Sequence, residues 1–421
     1  WRAIVTLAKR NTDVLDTLRS VWGPGRENEE LSFDGAHSHG PRIIELVATH
    51  RRSRDAGEAE ASGNNLARLR ARDRWERAGL AADVSYRIGG GEERTVQKSV
   101  IYVGEMQGDY DAAGIEVGQK RGDYMLVYIP GAERVNVNTV EFSMQASFGA
   151  GVRGIGGERE GSGFWGRLKR EVSLDHFFSV IEKSRTDDLG GLLLLSPSLL
   201  QRDDVTVYGV TKLREECALF NSSRIFKLRV TYSREDEEDN RTEGGAAESF
   251  ARELRVRAES APWKAVALIW EARGALSRRE TTAFEASRYE IETSALSQTF
   301  VYRFGPSAKL SLETGAERRS DAVSSALQVS YLASPSFSAS IGARFNAAAL
   351  VRVTYTDARS SAGKPLFFLE EGFREDWSVL GQYRVSQNIS FGLNYTGRRE
   401  KDYEGEVTTV NDFKMESRAH F

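Results

Sequence analysis

Histidine residues are the first candidates for chemistry in this chain. Of the five histidines, His37 and His39 lie two residues apart in a glycine-flanked segment, and together with His50 they could ligate a metal ion. Solvated loop positions explain the same residues, so we predict a loop and no metal site. His176 falls in phase with apolar neighbours, which predicts a lipid-facing or interfacial position rather than a site.

A short repeat is the second candidate. Val103–Tyr110 and Val117–Tyr124 share the pattern V-G-x-x-x-G-D-Y. Glycine permits positive φ and Gly-Asp pairs favour turns, so each copy predicts a strand end followed by a tight turn. Asp109, Asp111 and Asp123 could instead supply oxygen ligands to a cation, but the full ligand spacing of a calcium loop is missing. We therefore predict structural turns.

Other catalytic patterns are scarce. No grouping of histidine with serine or an acidic partner is evident, and neither a phosphate-binding loop nor a dinucleotide fingerprint appears. We therefore predict that the chain is not an enzyme and has no cofactor. The balance of 58 basic against 61 acidic residues gives no net attraction toward nucleic acid. The single cysteine, Cys217, excludes an intrachain disulfide.

The elements that would position these residues are strands. Apolar and polar residues alternate from about Val205 to Phe421 in about eleven segments, the clearest being Phe337–Tyr355. Two further strands are predicted at Val137–Val152 and Phe164–Ile181. Leu66–Trp75, in which arginines alternate with other residues, is a candidate strand, although a basic amphipathic helix fits it equally well. The leucine run Leu192–Leu195 is too short for a membrane-spanning helix.

The connections alternate between short and long, as in membrane barrels. Short turns are predicted at 221–223, 260–262, 305–307, 334–336 and 386–388, where Gly, Pro, Asn and Ser predominate. Longer or more hydrophilic links are predicted at 235–247, 273–283, 317–321, 357–372 and 398–405.

The last strand carries the family resemblance. Phe413, Met415, Ala419 and Phe421 alternate with charged residues, and a strand that ends in phenylalanine resembles the assembly signal of bacterial outer-membrane β-barrels. The V-G-x-x-x-G-D-Y pair is similar to motifs in large bacterial outer-membrane proteins with a C-terminal barrel. The resemblance implies an all-β fold, a transmembrane antiparallel up-and-down β-barrel of about fourteen strands, with twelve to sixteen allowed.

This resemblance also implies a location and partners. The chain would lie in the lipid bilayer of the outer membrane after insertion by the barrel-assembly machinery. Its C-terminus and short turns would be periplasmic, and its longer loops extracellular.

The first part of the chain has a different pattern. We predict an N-terminal extension over residues 1–130, a possible plug or docking element, before a barrel over 131–421. Residues Trp1–Trp22 have apolar residues at roughly helical spacing, stopped by Gly23-Pro24-Gly25, which predicts a short helix. Residues 26–64 have the composition of an irregular linker. Because the chain starts at Trp1, we expect a longer precursor.

Charged residues on the polar positions of the strands are the candidate lumen lining. They carry both signs, so they could line a weakly selective channel or form a salt-bridged network around a plug. The predicted lumen-lining residues are Lys227, Arg229, Glu253, Arg255, Arg257, Lys309, Glu313, Arg344 and Arg352.

Three functions are compatible with these patterns. The chain could be a membrane anchor or pore component of a larger surface or secretion assembly, with stable contacts to other chains. It could be a porin-like diffusion channel, or a soluble β-sandwich protein. We favour the first, because the region before residue 130 and the leucines of Leu192–Leu195, expected in an exposed loop, suggest a partner.

Overall fold

The computed structural model confirms the predicted fold class: the described part of the chain is a β-sheet protein with eighteen strands. The described residues are 2–16, 21–55, 62–75, 78–104, 107–108, 110–112, 122–149, 168, 170–186, 188, 191–192, 194–196, 200–202, 204–241, 246–281, 288–342, 344–359, 372–386, 388–401 and 407–419. Among them, no helix has the length and apolar character needed to span a membrane.

The strands follow one another along the chain. Their bounds are β1 Arg2–Asp16, β2 Val21–His39, β3 Arg42–Asp55, β4 Ser62–Trp75, β5 Leu80–Tyr102, β6 Tyr124–Gly149, β7 Val172–Ser184, β8 Thr206–Leu219, β9 Phe226–Asp239, β10 Ala247–Trp263, β11 Val266–Thr281, β12 Tyr289–Phe304, β13 Ala308–Asp321, β14 Ala326–Ile341, β15 Phe345–Arg359, β16 Gly372–Arg384, β17 Ile389–Lys401 and β18 Val407–Ala419.

Pairing is antiparallel between strands that are consecutive in sequence. Continuous ladders join β1 through β7 and β12 through β18. Within each of these two runs only hairpin connections are needed, as in the up-and-down topology predicted from the sequence.

The chain divides into two compact units. The first comprises Trp1–Glu216, Ser233–Ala251 and Arg279–Ser287, and the second comprises Cys217–Tyr232, Arg252–Arg278 and Arg288–Phe421. The first unit contains β1–β7 whole, and the second contains β12–β18 whole.

The two faces of the second unit differ because of the pairing register. On β14 and β15, odd-numbered residues pair with odd-numbered ones, such as Tyr331 with Tyr355, and the even-numbered residues pair likewise. Since successive side chains point to opposite faces, every ladder keeps one face apolar and the other polar.

The N-terminal helix prediction is wrong. Residues assigned to a helix over Trp1–Trp22 form β1 and the start of β2, and Arg2–Asp16 pairs with residues Val21–Ala36 of β2. The β-branched residues Ile4, Val5 and Thr6 favour a strand. The ladder between β1 and β2 also satisfies backbone N–H and C=O groups, and the spacing of apolar residues does not reveal this pairing. The segment predicted as a linker over 26–64 likewise contains most of β2 and all of β3.

The strand number also exceeds the predicted range of twelve to sixteen. The eleven strands predicted after Val205 are β8–β18, and β6, β7 and β4 correspond to the three further candidates. The missed strands are β1, β2, β3 and β5, all within the predicted extension. The predicted boundary near residue 130 falls inside β6, and the division into extension and barrel stays a prediction.

Two predicted turns are misplaced and one turn is missed. The predicted strand Phe337–Tyr355 contains the hairpin connection between β14 and β15, where Gly342 has φ +61°. Ile341 pairs with Phe345 across this turn, so odd positions stay on one face and alternation continues through the turn unbroken. The turn predicted at 334–336 lies inside β14, and the one predicted at 260–262 lies inside β10.

Candidate functional site

The polar face of β10 and β11 carries a network of ion pairs. Arg273 Nε donates to Glu253 Oε2 at 2.8 Å, and Arg255 Nη2 donates to the other oxygen of Glu253 at 2.8 Å. Glu271 lies 3.6 Å from Arg255 Nε and 3.8 Å from Arg257 Nη1. Arg257 also donates to Glu259 Oε1 at 2.9 Å. The network thus joins three acidic and three basic side chains, all partly exposed, into one chain of alternating charge.

A cavity of about 580 Å³ opens on the polar face of β11–β17, within the second unit. Its charged lining residues are Glu271, Arg273, Glu313, Glu317, Arg319, Arg352, Arg374, Glu400 and Lys401. Small residues, among them Gly315 and Gly372, lie between these charges. Its volume falls within the usual range for small-molecule sites.

The predicted lumen-lining residues are placed in four ways. Glu313 and Arg352 line the cavity. Glu253, Arg255 and Arg257 belong to the ion-pair network. Lys309, Lys227 and Arg229 are exposed on β13 and β9, and Lys309 has the same parity as Glu313. Arg344 lies in the turn between β14 and β15 and not on a strand, because the alternation that predicted it runs through that turn.

The opposite face of the second unit is apolar and exposed. Tyr331, Tyr355 and Phe373 pair across β14–β16 and form a first aromatic row. Phe345, Tyr383 and Phe391 pair across β15–β17 and form a second aromatic row. The exposed residues between these rows include Leu310, Leu312, Val351, Val379 and Leu393.

The predicted assembly-signal residues extend this apolar face onto β18. Phe413 pairs with Tyr395, and Met415 pairs with Leu393. Both side chains are well exposed, and Ala419 pairs with Ile389 at the end of the ladder. Phe421 lies outside the described residues, and the role of these residues as an assembly signal stays a prediction.

The two V-G-x-x-x-G-D-Y copies pair with each other. Gly108 N donates to Gly122 O at 2.8 Å and Gly122 N donates back to Gly108 O at 2.9 Å. Tyr110 and Tyr124 exchange two further bonds of 3.0 Å. We call these four residues the glycine-tyrosine clasp.

Both glycine positions of the clasp have no room for a side chain. A Cβ on Gly108 would lie 2.1 Å from the carbonyl oxygen of Tyr124, and one on Gly122 would lie 2.2 Å from that of Tyr110. The repeat is therefore two halves of one bridge. The repeat is visible in the sequence, whereas the contact between its copies is not. Of the candidate cation ligands, Asp109 lies outside the described residues.

The clasp closes the end of a long two-stranded ribbon. β4 pairs with β5 only as far as Gly90, and β7 pairs with β6 only as far as Asn138. Beyond these points, the described pairings join β5 only to β6, over residues 91–102 and 124–137. The ribbon is ~40 Å long, at ~3.3 Å per residue.

A second buried cluster anchors the connection between β7 and β8. Glu182 is fully buried, and it accepts hydrogen bonds from Thr206 Oγ1 at 2.7 Å and from Gln201 N at 3.2 Å. A Cβ on Gly209 would lie 2.7 Å from Glu182 Oε2, so glycine lets β8 approach the carboxylate. Leu192 is also fully buried, whereas Leu194 is 84% exposed. The expectation of an exposed leucine run is therefore wrong for Leu192.

Burial shifts the acidity of Glu182. The residue lies two positions before the end of β7 and is hydrogen-bonded to the connection that follows the strand. Burial raises the pKa of its carboxyl to about 7, the hydrogen bonds from Thr206 and Gln201 oppose this, and the nearby Glu238 carboxylate adds to it. Glu238 on β9 is itself buried. Near neutral pH, this cluster therefore gains or loses a proton.

The histidines do not form one site. His37 and His39 lie on β2, so the predicted loop is wrong there. His50 on β3 pairs with Leu31, six residues from His37, which is ~20 Å along the strand. His176 Nδ1 lies 2.5 Å from Glu215 Oε1, a pair that is not evident from the sequence because the partners are separated by 39 residues.

No family model matches the chain, and no curated protein matches it. Solved structures similar to the chain include the alcaligin outer-membrane receptor FauA from Bordetella pertussis, with 10% identity and a TM-score of 0.47 over 99% of this chain and 64% of FauA. The FrpB iron transporter from Neisseria meningitidis, F5-1 variant, matches with 9% identity and a TM-score of 0.44 over 90% of this chain and 61% of FrpB. OmpT of Vibrio cholerae matches with 9% identity and a TM-score of 0.31 over 81% of this chain and 98% of OmpT.

These neighbours are outer-membrane proteins of several kinds. The chain spans less than two thirds of FauA and of FrpB. Every one of these TM-scores is below 0.5.

The prediction that the chain is not an enzyme is corrected by these comparisons. The similar structures range from receptors and a transporter to OmpT, at 10% identity or less, so they assign no activity and exclude none. The His176–Glu215 pair is also an arrangement that general acid–base chemistry can use. Enzymatic status is not established.

Replacing Gly108 with alanine tests the clasp. The added Cβ overlaps the Tyr124 carbonyl, so the four bridging hydrogen bonds should break and amide exchange at Gly122 and Tyr124 should accelerate at least about ten-fold. Hydrogen exchange with mass spectrometry measures this. Gly274→Ala is the matched control, because a Cβ there meets nothing within 4 Å. Unchanged protection at Gly122 in Gly108→Ala would contradict the clasp.

Replacing Glu182 with glutamine tests the loop anchor. The folded-state pKa of about 7 exceeds the ordinary value of 4.5, so the folded form holds the extra proton and loop stability should fall as pH rises from 4.5 to 7. The full effect is roughly 3 kcal/mol. Exchange rates at Gln201 and Thr206 between pH 4.5 and 8, corrected for intrinsic rates, report it.

Glutamine keeps the side-chain oxygen but does not titrate, so Glu182→Gln should remove this pH dependence. The exposed Glu248 in the same unit provides the control, Glu248→Gln, which should keep it. If the pH dependence persists in Glu182→Gln, another group is responsible.

Proposed function

We propose that the chain is an outer-membrane β-barrel that anchors a larger surface or secretion assembly. The observation that carries the membrane part is the apolar face between the two aromatic rows. Phe345 and Tyr355, one from each row, lie ten residues apart on β15. At ~3.3 Å per residue and a tilt of ~40°, the rows are ~25 Å apart, which matches the apolar band of outer-membrane barrels and its aromatic girdles.

The same face argues against a soluble β-sandwich. Leu296, Leu312 and Tyr331 are among many large apolar side chains that are exposed on β12–β18. Soluble monomers rarely expose contiguous apolar patches of more than a few hundred Å², and a sandwich would cover such a face with a second sheet. Lipid is the environment that suits it.

The anchor part rests on the ribbon and the ion pairs. The ribbon extends β5 and β6 well beyond the length needed to cross a bilayer. Its end presents exposed apolar residues, including Ile101, Tyr102, Met125 and Ile129. Exposed apolar residues on a projecting element suit contact with another chain. The ion-pair network on β10 and β11 ties polar-face charges to each other, which suits a filled lumen more than an open channel.

The lengths of the connections support an orientation in the membrane. The turns at 264–265, 305–307 and 342–344 are short, and the C-terminal end of β18 lies beside the start of β17. Short turns are periplasmic in bacterial barrels. The ribbon and the β7–β8 connection, at the opposite strand ends, would then be extracellular. The C-terminal residues would be read by the barrel-assembly machinery.

Replacing Leu312 with arginine tests the membrane-facing side. An arginine between the two aromatic rows would enter hydrocarbon, so folding into lipid vesicles should lose about 2–4 kcal/mol. The control is Thr299→Arg on the polar face, where the new side chain lies opposite Glu313 and should cost less than about 1 kcal/mol. Urea titration of folding into large unilamellar vesicles measures both. Equal costs would argue against a lipid-facing surface.

Single-channel recording in planar bilayers tests the anchor against an open pore. We expect the inserted chain to show no stable open steps, because the polar-face charges of β10 and β11 are held in ion pairs. Removing the two acidic residues that bridge the arginines of the network, with Glu253→Ala and Glu271→Ala together, should produce or increase current. Stable steps of nanosiemens size in the unaltered chain would overturn the anchor proposal while leaving the membrane assignment intact.

A further inference from the structure

The cavity on the polar face of β11–β17 has charges that its own residues do not satisfy. Most of its charged groups are paired: Arg273 with Glu253, Glu271 with Arg255 and Arg257, Arg319 with Glu317, and Arg374 with Asp376. In the described part of the chain, Arg352, Glu313 and the cavity-lining Lys401 make no ion pair or side-chain hydrogen bond. Asp376, which pairs with Arg352 across β15 and β16, accepts two hydrogen bonds from Arg374. Charges of both signs are thus left available in one polar cavity.

Glu400 adds a second acidic group. Its Oε1 accepts a hydrogen bond from Arg398 Nη2 at 2.8 Å. Its Oε2 is buried and has no hydrogen-bond partner among the described residues. A buried carboxylate oxygen without a donor costs free energy, so it is a position where a donor from a ligand would be stabilising.

The register places these three groups in a simple arrangement. Glu313 pairs with Ser334 on β14, and the next pair along, Ala333 with Val353, puts Arg352 beside Ser334 on β15. Glu313 and Arg352 are therefore two strands apart, ~10 Å between Cα atoms. On the other side, Thr354 pairs with Arg374 and Arg374 pairs with Glu400, so Glu400 is also two strands from β15.

A free cation flanked by two acidic groups fits a ligand with both charges. Arginine binds a carboxylate through two parallel hydrogen bonds, and either acidic group can bind an ammonium. The separation of ~10 Å corresponds to about three residues of extended peptide, at ~3.3–3.6 Å per residue. Gly315 leaves space at the base of the cavity. A Cβ at this position would lie 3.3 Å from Leu296 O and from Ser297 Cβ.

We propose that this cavity binds a short zwitterionic peptide of about three residues. Its C-terminal carboxylate binds Arg352, and its α-ammonium binds Glu313 or Glu400. This binding is separate from the anchor role and needs only that the polar face be reached by water.

Calorimetric titration of the full chain, folded in detergent micelles, with tri-alanine tests the proposal. Tri-alanine should bind, and N-acetyl tri-alanine and tri-alanine amide should each bind at least ten-fold more weakly, because each lacks one terminal charge. This comparison uses the unaltered chain and does not depend on any variant folding. Absence of tri-alanine binding, or equal binding of the blocked peptides, overturns the proposal.

Variants then identify which residue binds each end of the peptide. Arg352→Gln should weaken tri-alanine binding at least ten-fold and abolish the preference for the free carboxylate over the amide. Glu313→Gln combined with Glu400→Gln should abolish the preference for the free amine. The control is Lys309→Gln, on the same face of β13 but outside the cavity lining, with circular dichroism to check folding. An equal loss in the control contradicts the assignment, and vesicle insertion of Leu312→Arg tests the membrane proposal independently.

Discussion

The backbone ladder between neighbouring antiparallel strands is the constraint on which the rest of this structure depends. In hydrocarbon, no water satisfies backbone N–H and C=O groups, so each strand must find its partners in the next strand. The ladders of β12–β18 do this with registers that pair apolar with apolar and polar with polar positions: residues of the same parity pair in every ladder except β13–β14, where even residues pair with odd ones. The aromatic rows, the ion pairs and the cavity all follow from these registers, because they keep most large apolar residues on one face and most charges on the other.

Alternation in the sequence therefore predicts much of the second unit. It identifies eleven strands after Val205, and it places Glu313 and Arg352 on the polar face without any knowledge of their neighbours. It fails to locate a turn when the alternation of odd and even positions continues unchanged through that turn. Ile341 and Phe345 pair across the turn at 342–344, so apolar residues stay on odd positions before and after it, and Arg344 is indistinguishable from a strand residue.

The sequence alone does not predict contacts between residues that are far apart in the chain. Glu182 depends on Gln201 and Thr206 for its hydrogen bonds, and nothing local marks it as buried. The V-G-x-x-x-G-D-Y repeat was visible, yet the reason for its glycines appears only when the two copies lie side by side. At the N-terminus, apolar spacing favoured a helix, whereas pairing of β1 with β2 decided the structure. Intrinsic spacing is a weak signal wherever a partner strand is available.

The parity of the tight turns also limits how such a chain can change in evolution. At the turn around Gly342, inserting or deleting one residue would pair odd with even positions and turn the side chains of the following strand toward the wrong medium, unless a bulge absorbed the extra residue. Two residues gained or lost together would preserve both faces. Length variation among descendants of this sequence should therefore occur in steps of two at the tight turns and without such a rule in the long connections.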